Sequence, residues 1–337
     1  MLASLSVHAQ SSVTLYGLMD AGVTYTNQVS GKGADLQFVS GSSQSDRWGL
    51  KGTEDLGGQE HVNFLLQSGY VLATGAVIQS GEEFGDEAYV GFSGPWGALT
   101  LGRQYDFMGD QMWNYAIAAQ TPAGLLAWSL PTDAAGGYVL DNRVWADSVN
   151  NAVKYVTPTF AGFSAGAMFG FGNTPGSVAT GSSSSFIVNY GYGSFSASIA
   201  YFGEHNVSVG GNSREFAGGA AYTIGSVHVF GLLTDVRLTA DNQLSAATAE
   251  AGLTYQLNSA FTLGGGVQFQ RLNNNIGSAN QFTLTADYSL SRNTDVYAVA
   301  AMIHDPGPLG AQVLAVYGDP SGTDDQTAFR IGIRHRF

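Results

Sequence analysis

Asp106, Asp110, Asp133, Asp141 and Asp147 crowd one segment, residues 106–148, together with Trp113, Trp128 and Trp145. Fixed carboxylates of this kind can sort ions or solutes by charge. Covalent chemistry is harder to find. His8, His61, His205, His228, His304 and His335 do not pair with one another or with an acid on one strand face, so no zinc site is readable and no metal is expected. Gly191-Tyr-Gly193 and Gly264-Gly-Gly266 lie in strands or tight turns without a following helix, which excludes phosphate loops, and nothing calls for a cofactor. The serine run Ser182–Ser185 has no general base near it in sequence and reads as loop.

The elements that would position these charges are strands. Val13, Leu15, Gly17, Met19, Ala21, Val23 and Tyr25 share one face, with Thr14, Tyr16, Asp20 and Thr24 opposite. Residues 261–270 and 281–290 repeat the pattern, and the last residues place Phe329, Ile331, Ile333, His335 and Phe337 against Arg330, Arg334 and Arg336. Short turns alternate with longer linkers, placed near 27–44, 71–84, 106–148, 172–181, 204–212, 236–244, 271–279 and 303–324. Seven short and eight long connections give roughly sixteen strands. An even antiparallel set with short turns at one end and long loops at the other predicts an all-β transmembrane barrel spanning 10–337. A soluble solenoid or sandwich accounts for the alternation but not for that rhythm. Tyr and Trp near segment ends suit interfacial girdles.

Composition agrees. The 337 residues contain no cysteine, 46 glycines, and Lys plus Arg of 13 against Asp plus Glu of 26. Disulfides and thiolate chemistry are excluded, and a net charge of −13 argues against nucleic acid as a partner. No run approaches the roughly 18 apolar residues of a membrane-crossing helix. Residues 1–9 resemble the tail of a secretory signal segment, with Val7-His8-Ala9 as a small-residue cleavage site, and are expected to lie outside the fold. The segment 106–148 is too apolar for a solvated tail, so it is expected to pack on the inner wall and narrow an aqueous lumen.

Ser12–Val23, Arg47–Gly58, Ala88–Gly94, Leu99–Tyr105, Asn150–Phe163 and Gly332–Phe337 together resemble the trimeric sixteen-stranded general porins of Gram-negative proteobacteria. The resemblance implies passive diffusion of small polar solutes and ions. It also implies a homotrimer, contact with outer-membrane lipids and lipopolysaccharide, an assembly signal at Phe337 read by the barrel-assembly machinery, and a third loop folded into the pore. There, acidic loop residues face a basic wall. Arg47 matches a wall arginine, and Lys154 points inward by phase, with Arg143 near the end of the loop. Asp86-Glu87 stands where the family commonly has a base, and Ser148 where it often has Arg. Alternation is expected to turn Glu87 to the lumen and Asp86 away. Acids then outnumber bases, so weak cation preference is expected. The rival classes are an outer-membrane barrel enzyme, in which His205 or His304 would have to meet a Ser or Asp, and an adhesin or receptor.

Overall fold

A computed structural model describes residues 11–127, 142–145, 147–207, 211–239, 244–273, 277–307, 311–313 and 320–337. In chain order the staves are β1 (Ser11–Val29), β2 in two halves (Gly33–Ser40 and Arg47–Gly57), β3 (Glu60–Val71), β4 (Glu87–Gly94), β5 (Gly97–Tyr105), β6 (Ser148–Val156), β7 (Phe163–Gly170) and β8 (Ser183–Tyr192). They continue as β9 (Phe195–Val207), β10 (Gly211–Ile224), β11 (Val227–Leu238), β12 (Ser245–Gln256), β13 (Phe261–Leu272), β14 (Gly277–Ser289), β15 (Thr294–His304) and β16 (Asp325–Arg336). Each pairs antiparallel with the next, and Ala76–Val77 adds only a two-residue side ladder to β3. The two halves of β2 both lie against β1, so the count is sixteen.

β1 closes on β16 in a register running from Leu18↔Arg336 to Thr26↔Ala328. Closure leaves no strand edge, the condition for a sheet in hydrocarbon, where an unpaired N–H or C=O has no water to turn to. Phe337 continues the ladder by exchanging backbone bonds with Gly17 at 3.0 and 3.1 Å. Side-chain alternation becomes outside and inside. Val13, Leu15, Val23, Phe329, Ile331 and Ile333 are exposed outward, while Asp20, Thr24, Arg330 and Arg334 are buried inward.

The seven short turns fall at one rim. At the other, four of the expected long linkers shrink. β1 runs to Val29 and the chain re-enters the sheet at Gly33, so 27–44 is mostly strand. Strands also extend to Val207, Leu238 and Leu272 and resume at Gly211, Ser245 and Gly277. Above the membrane water wets both faces of a strand, so polar residues there are compatible with pairing as well as with loop. The long connections that remain are 72–86, 106–147, 171–182 and 305–324. A further excursion, Gly41–Asp46, splits β2 and turns inward, burying Ser42, Ser43 and Asp46.

Candidate pore constriction

After β5, the described residues 106–127 fold into the barrel as four short turns of helix: α1 (Phe107–Asp110), a 3-10 turn (Met112–Tyr115), α2 (Ile117–Gln120) and a second 3-10 turn (Gly124–Ala127). Phe107, Met108, Met112, Ile117 and Leu126 are fully buried. Their seats are glycines. A Cβ at Gly166 would strike Phe107, one at Gly219 would strike Tyr115, and one at Gly266 would strike Ile117. A missing side chain on the inner face lets the loop lie close to the wall. Gly219→Val is therefore expected to push Tyr115 towards the axis and lower single-channel conductance, leaving the β-sheet circular dichroism intact. Unaltered conductance would mean that the loop does not rest there.

Polar contacts fix the same path. Asp106 caps α1, accepting from Met108 N at 2.7 Å and Gly109 N at 3.2 Å, and also accepts from Arg143 Nε at 2.6 Å. Asp106 is wholly buried, which pushes its carboxyl above the usual range, while Arg143 pulls it down. Arg143 lies 4.0 Å above the Phe202 ring and 3.8 Å from Asp147. Lys154 Nζ donates to Asp110 Oδ2 at 2.7 Å and to the Tyr105 carbonyl at 3.0 Å, above the Phe107 ring. Further along, Ser198 meets the Tyr115 hydroxyl, Glu250 accepts from Ile117 N, and the Gln281 amide donates to the Leu126 carbonyl. Leu125 N donates to Ser42 O at 2.8 Å, so the excursion in β2 holds the loop as well.

These contacts carry the loop round the inner wall from β7 towards β15 and leave the β1–β5 side open. There a cavity of about 520 Å³ is lined by Tyr16, Arg47, Lys51, Gln67, Glu87 and Tyr105, with Asp110 from the loop and Arg336 from β16. A smaller recess of about 170 Å³ joins Arg47 and Tyr105 to Asp110, Trp113 and Trp145. Among the described residues Arg47 and Lys51 form no ion pair, and Lys51 Nζ stands 5.0 Å above the Tyr16 ring. Arg336 is held by Asp295 at 2.9 Å. Glu87 accepts from Tyr105 N at 3.3 Å.

Arg47, Glu87 and Asp110 thus reach the cavity, whereas other residues singled out in the sequence lie elsewhere. Asp86 does not face outward: it is buried on the inner side, accepting from Gln67 at 3.1 Å and Gln79 at 3.3 Å. Strand pairing begins only at Glu87, so alternation does not govern its predecessor. Ser148 Oγ donates to the Asp86 carbonyl at 2.5 Å, and Lys154 is covered by the loop. Asp133 and Asp141 lie outside the described residues. Lys51 went unnoticed, although it shares a strand face with Arg47 four residues away; Tyr16, Gln67 and Tyr105 carry no sequence signal that separates them from ordinary wall residues. His304 does meet an acid, Asp325 at 2.8 Å, but as an exposed cross-strand pair.

Comparison with known proteins agrees with this architecture. A family model described as Gram-negative porin matches residues 1–308. Outer membrane porin protein 32 of Delftia acidovorans is 30% identical over 350 residues, covering 99% of this chain and 97% of that protein. A solved structure described as an anion-selective porin from Comamonas acidovorans is 25% identical, with a TM-score of 0.81 over 97% of this chain and all of the other. The trimer form of OmpT from Vibrio cholerae is 16% identical with a TM-score of 0.67, over 97% of this chain and 99% of the other, a likeness of fold. Sequence, barrel and inward-folded loop agree: the chain belongs to the Gram-negative porin family, whose members are outer-membrane diffusion channels and not enzymes.

Proposed function

We propose that this channel prefers anions, and that Arg47, Lys51 and Glu87 on the wall, facing Asp110 of the loop, set the preference. The carrying observation is how the charges are partnered. The expected cation preference weighed Asp106, Asp110 and Asp147 as open acids, yet Asp106 and Asp147 lie against Arg143 and Asp110 bonds Lys154. Among the described residues, Arg47 and Lys51 face the cavity without a carboxylate in an ion pair with either. The anion-selective relative from Comamonas supports the same sign. Reversal potentials across a potassium chloride gradient test it, and a cation-selective reading would sink the proposal.

Glu87 and Asp86 separate within the same measurement. Glu87→Gln removes the acid at the cavity and is expected to strengthen anion preference. Asp86→Asn, behind Gln67 and Gln79, is expected to move the reversal potential less. Equal shifts would mean that both carboxylates are felt by the permeating ion.

The same reading includes a homotrimer packed through apolar outer faces in outer-membrane lipid, delivered by the barrel-assembly machinery through Phe337. The trimeric OmpT structure supports the association. Light scattering in mild detergent would show a particle of three chains, and a monomer would refute it.

A further inference from the structure

The clasp that turns Gly41–Asp46 inward is built from two buried acids. The β1–β2 ladder stops at Ala21↔Ser40 and resumes at Leu18↔Arg47, so residues 41–46 stand against Met19 and Asp20 alone. Asp20 closes the excursion at three points. Its carbonyl accepts from Gly41 N at 2.8 Å, its carboxylate accepts from Ser43 N at 2.5 Å, and its own N–H donates to Asp46 Oδ1 at 2.6 Å. Asp46 Oδ2 also accepts from Leu72 N at 3.2 Å, which ties the same point to the chain leaving β3.

The last two staves grip the excursion as well. The Tyr297 hydroxyl donates to Asp20 Oδ1 at 2.5 Å, and Arg330 stands 3.6 Å from Asp20. Arg334 donates to Ser43 Oγ at 3.0 Å and Arg336 to Gln44 Oε1 at 3.1 Å. Asp20, Ser42, Ser43 and Asp46 are all fully buried. Burying a carboxylate is unfavourable unless hydrogen bonds satisfy it, and a hydroxyl would cap an ordinary turn. Hydrogen bonds to an ionised acceptor are roughly twice as strong as neutral ones, so two acids make this clasp much stiffer than such a turn.

What the clasp positions is the passage. Ser42 O accepts from Leu125 N at 2.8 Å, and Gly124, at φ +51°, lies so close that a Cβ there would strike the same oxygen. Gln281 holds the Leu126 carbonyl from the opposite wall. On its other flank the excursion supplies Gln44 and Ser45, with Arg47 next in chain, to the recess that Tyr105, Asp110 and Trp113 share. One short excursion therefore meets both the end of the loop and the charged wall.

We propose that Asp20 and Asp46 are positioning residues for permeation: buried out of reach of any solute, they set the aperture together by holding Ser42 against Leu125. The inference rests on the channel function of the family, and it is independent of the sign of the ion preference.

The chain has no cysteine, so Ser42→Cys with Leu125→Cys introduces a single pair. In the otherwise native full-length channel, mild oxidation should join that pair, seen as a faster band of the denatured, unreduced protein. Asp46→Ala removes both acceptor oxygens and frees the excursion to leave the lumen, so single-channel conductance and its noise should rise in planar bilayers. Asp46→Asn keeps one oxygen for Asp20 N and should move both in the same direction by less, which decides the matter if the alanine variant does not fold. Oxidising the cysteine pair in either background should return conductance and noise towards wild type, and a reductant should undo the return. A role confined to stability would lower the unfolding midpoint and leave the tether without effect on the current. Three results would overturn the proposal: a pair that does not join, Asp46 variants with wild-type currents, or altered currents that the tether leaves unchanged. Reversal potentials taken on the same channels report on the anion preference separately.

Discussion

Replacing Arg47 and Lys51 together by glutamate should reverse the sign of ion selectivity, the largest functional change expected of any pair in this chain. Each substitution exchanges a positive for a negative charge, so two of them alter the cavity by four elementary charges. A narrow passage with low-dielectric walls concentrates the field of its lining, which lets a few side chains decide which ion accumulates. Both residues line the cavity left open by the loop. Arg47→Glu alone should give part of the shift. The contrast with wild type should be greatest in dilute salt, because the screening length falls from about 10 Å at 0.1 M to about 3 Å at 1 M. An unmoved reversal potential at 0.1 M would mean that permeating ions do not pass this wall.

The sheet was legible because period-two alternation is a local property, readable along one strand at a time. Thr14 to Thr24 and Phe329 to Phe337 fall on the faces that the pattern assigns them. The inward folding of the third loop was legible for a similar reason: Phe107, Met112 and Ile117 are too apolar for solvent, and all are buried. Partners were another matter. Asp106 and Arg143 are 37 residues apart, and Asp110 and Lys154 are 44 apart, so nothing local says that they meet. Counting charges therefore treated as open several carboxylates that the fold neutralises, and the expected ion preference went with that count. The excursion at Gly41–Asp46 was hidden as well. It looks like the end of a polar loop, and its role becomes visible only where Ser42 O accepts from Leu125 N.

Asp106 and Arg143 also mark where the largest loss of stability is expected. The Asp106 side chain is fully buried and that of Arg143 only 15% exposed, and they meet at 2.6 Å. Arg143→Met would leave a carboxylate in the interior with its charge unbalanced, and removing one partner of such a pair costs about 3–5 kcal/mol. The same carboxylate caps α1 through Met108 N and Gly109 N, so the start of the loop should loosen with it. The expected result is a lower midpoint for thermal unfolding in detergent, with noisier single-channel currents as the loop leaves its seat. Asp106→Asn in the Arg143→Met background separates charge from shape. Asparagine retains an oxygen for the helix cap but carries no charge, so the double variant should recover much of the lost midpoint. If it recovers nothing, the cost comes from the packing of Arg143 over Phe202, where the guanidinium lies 4.0 Å from the ring. Phe202→Leu should then reproduce the loss with both charges still in place.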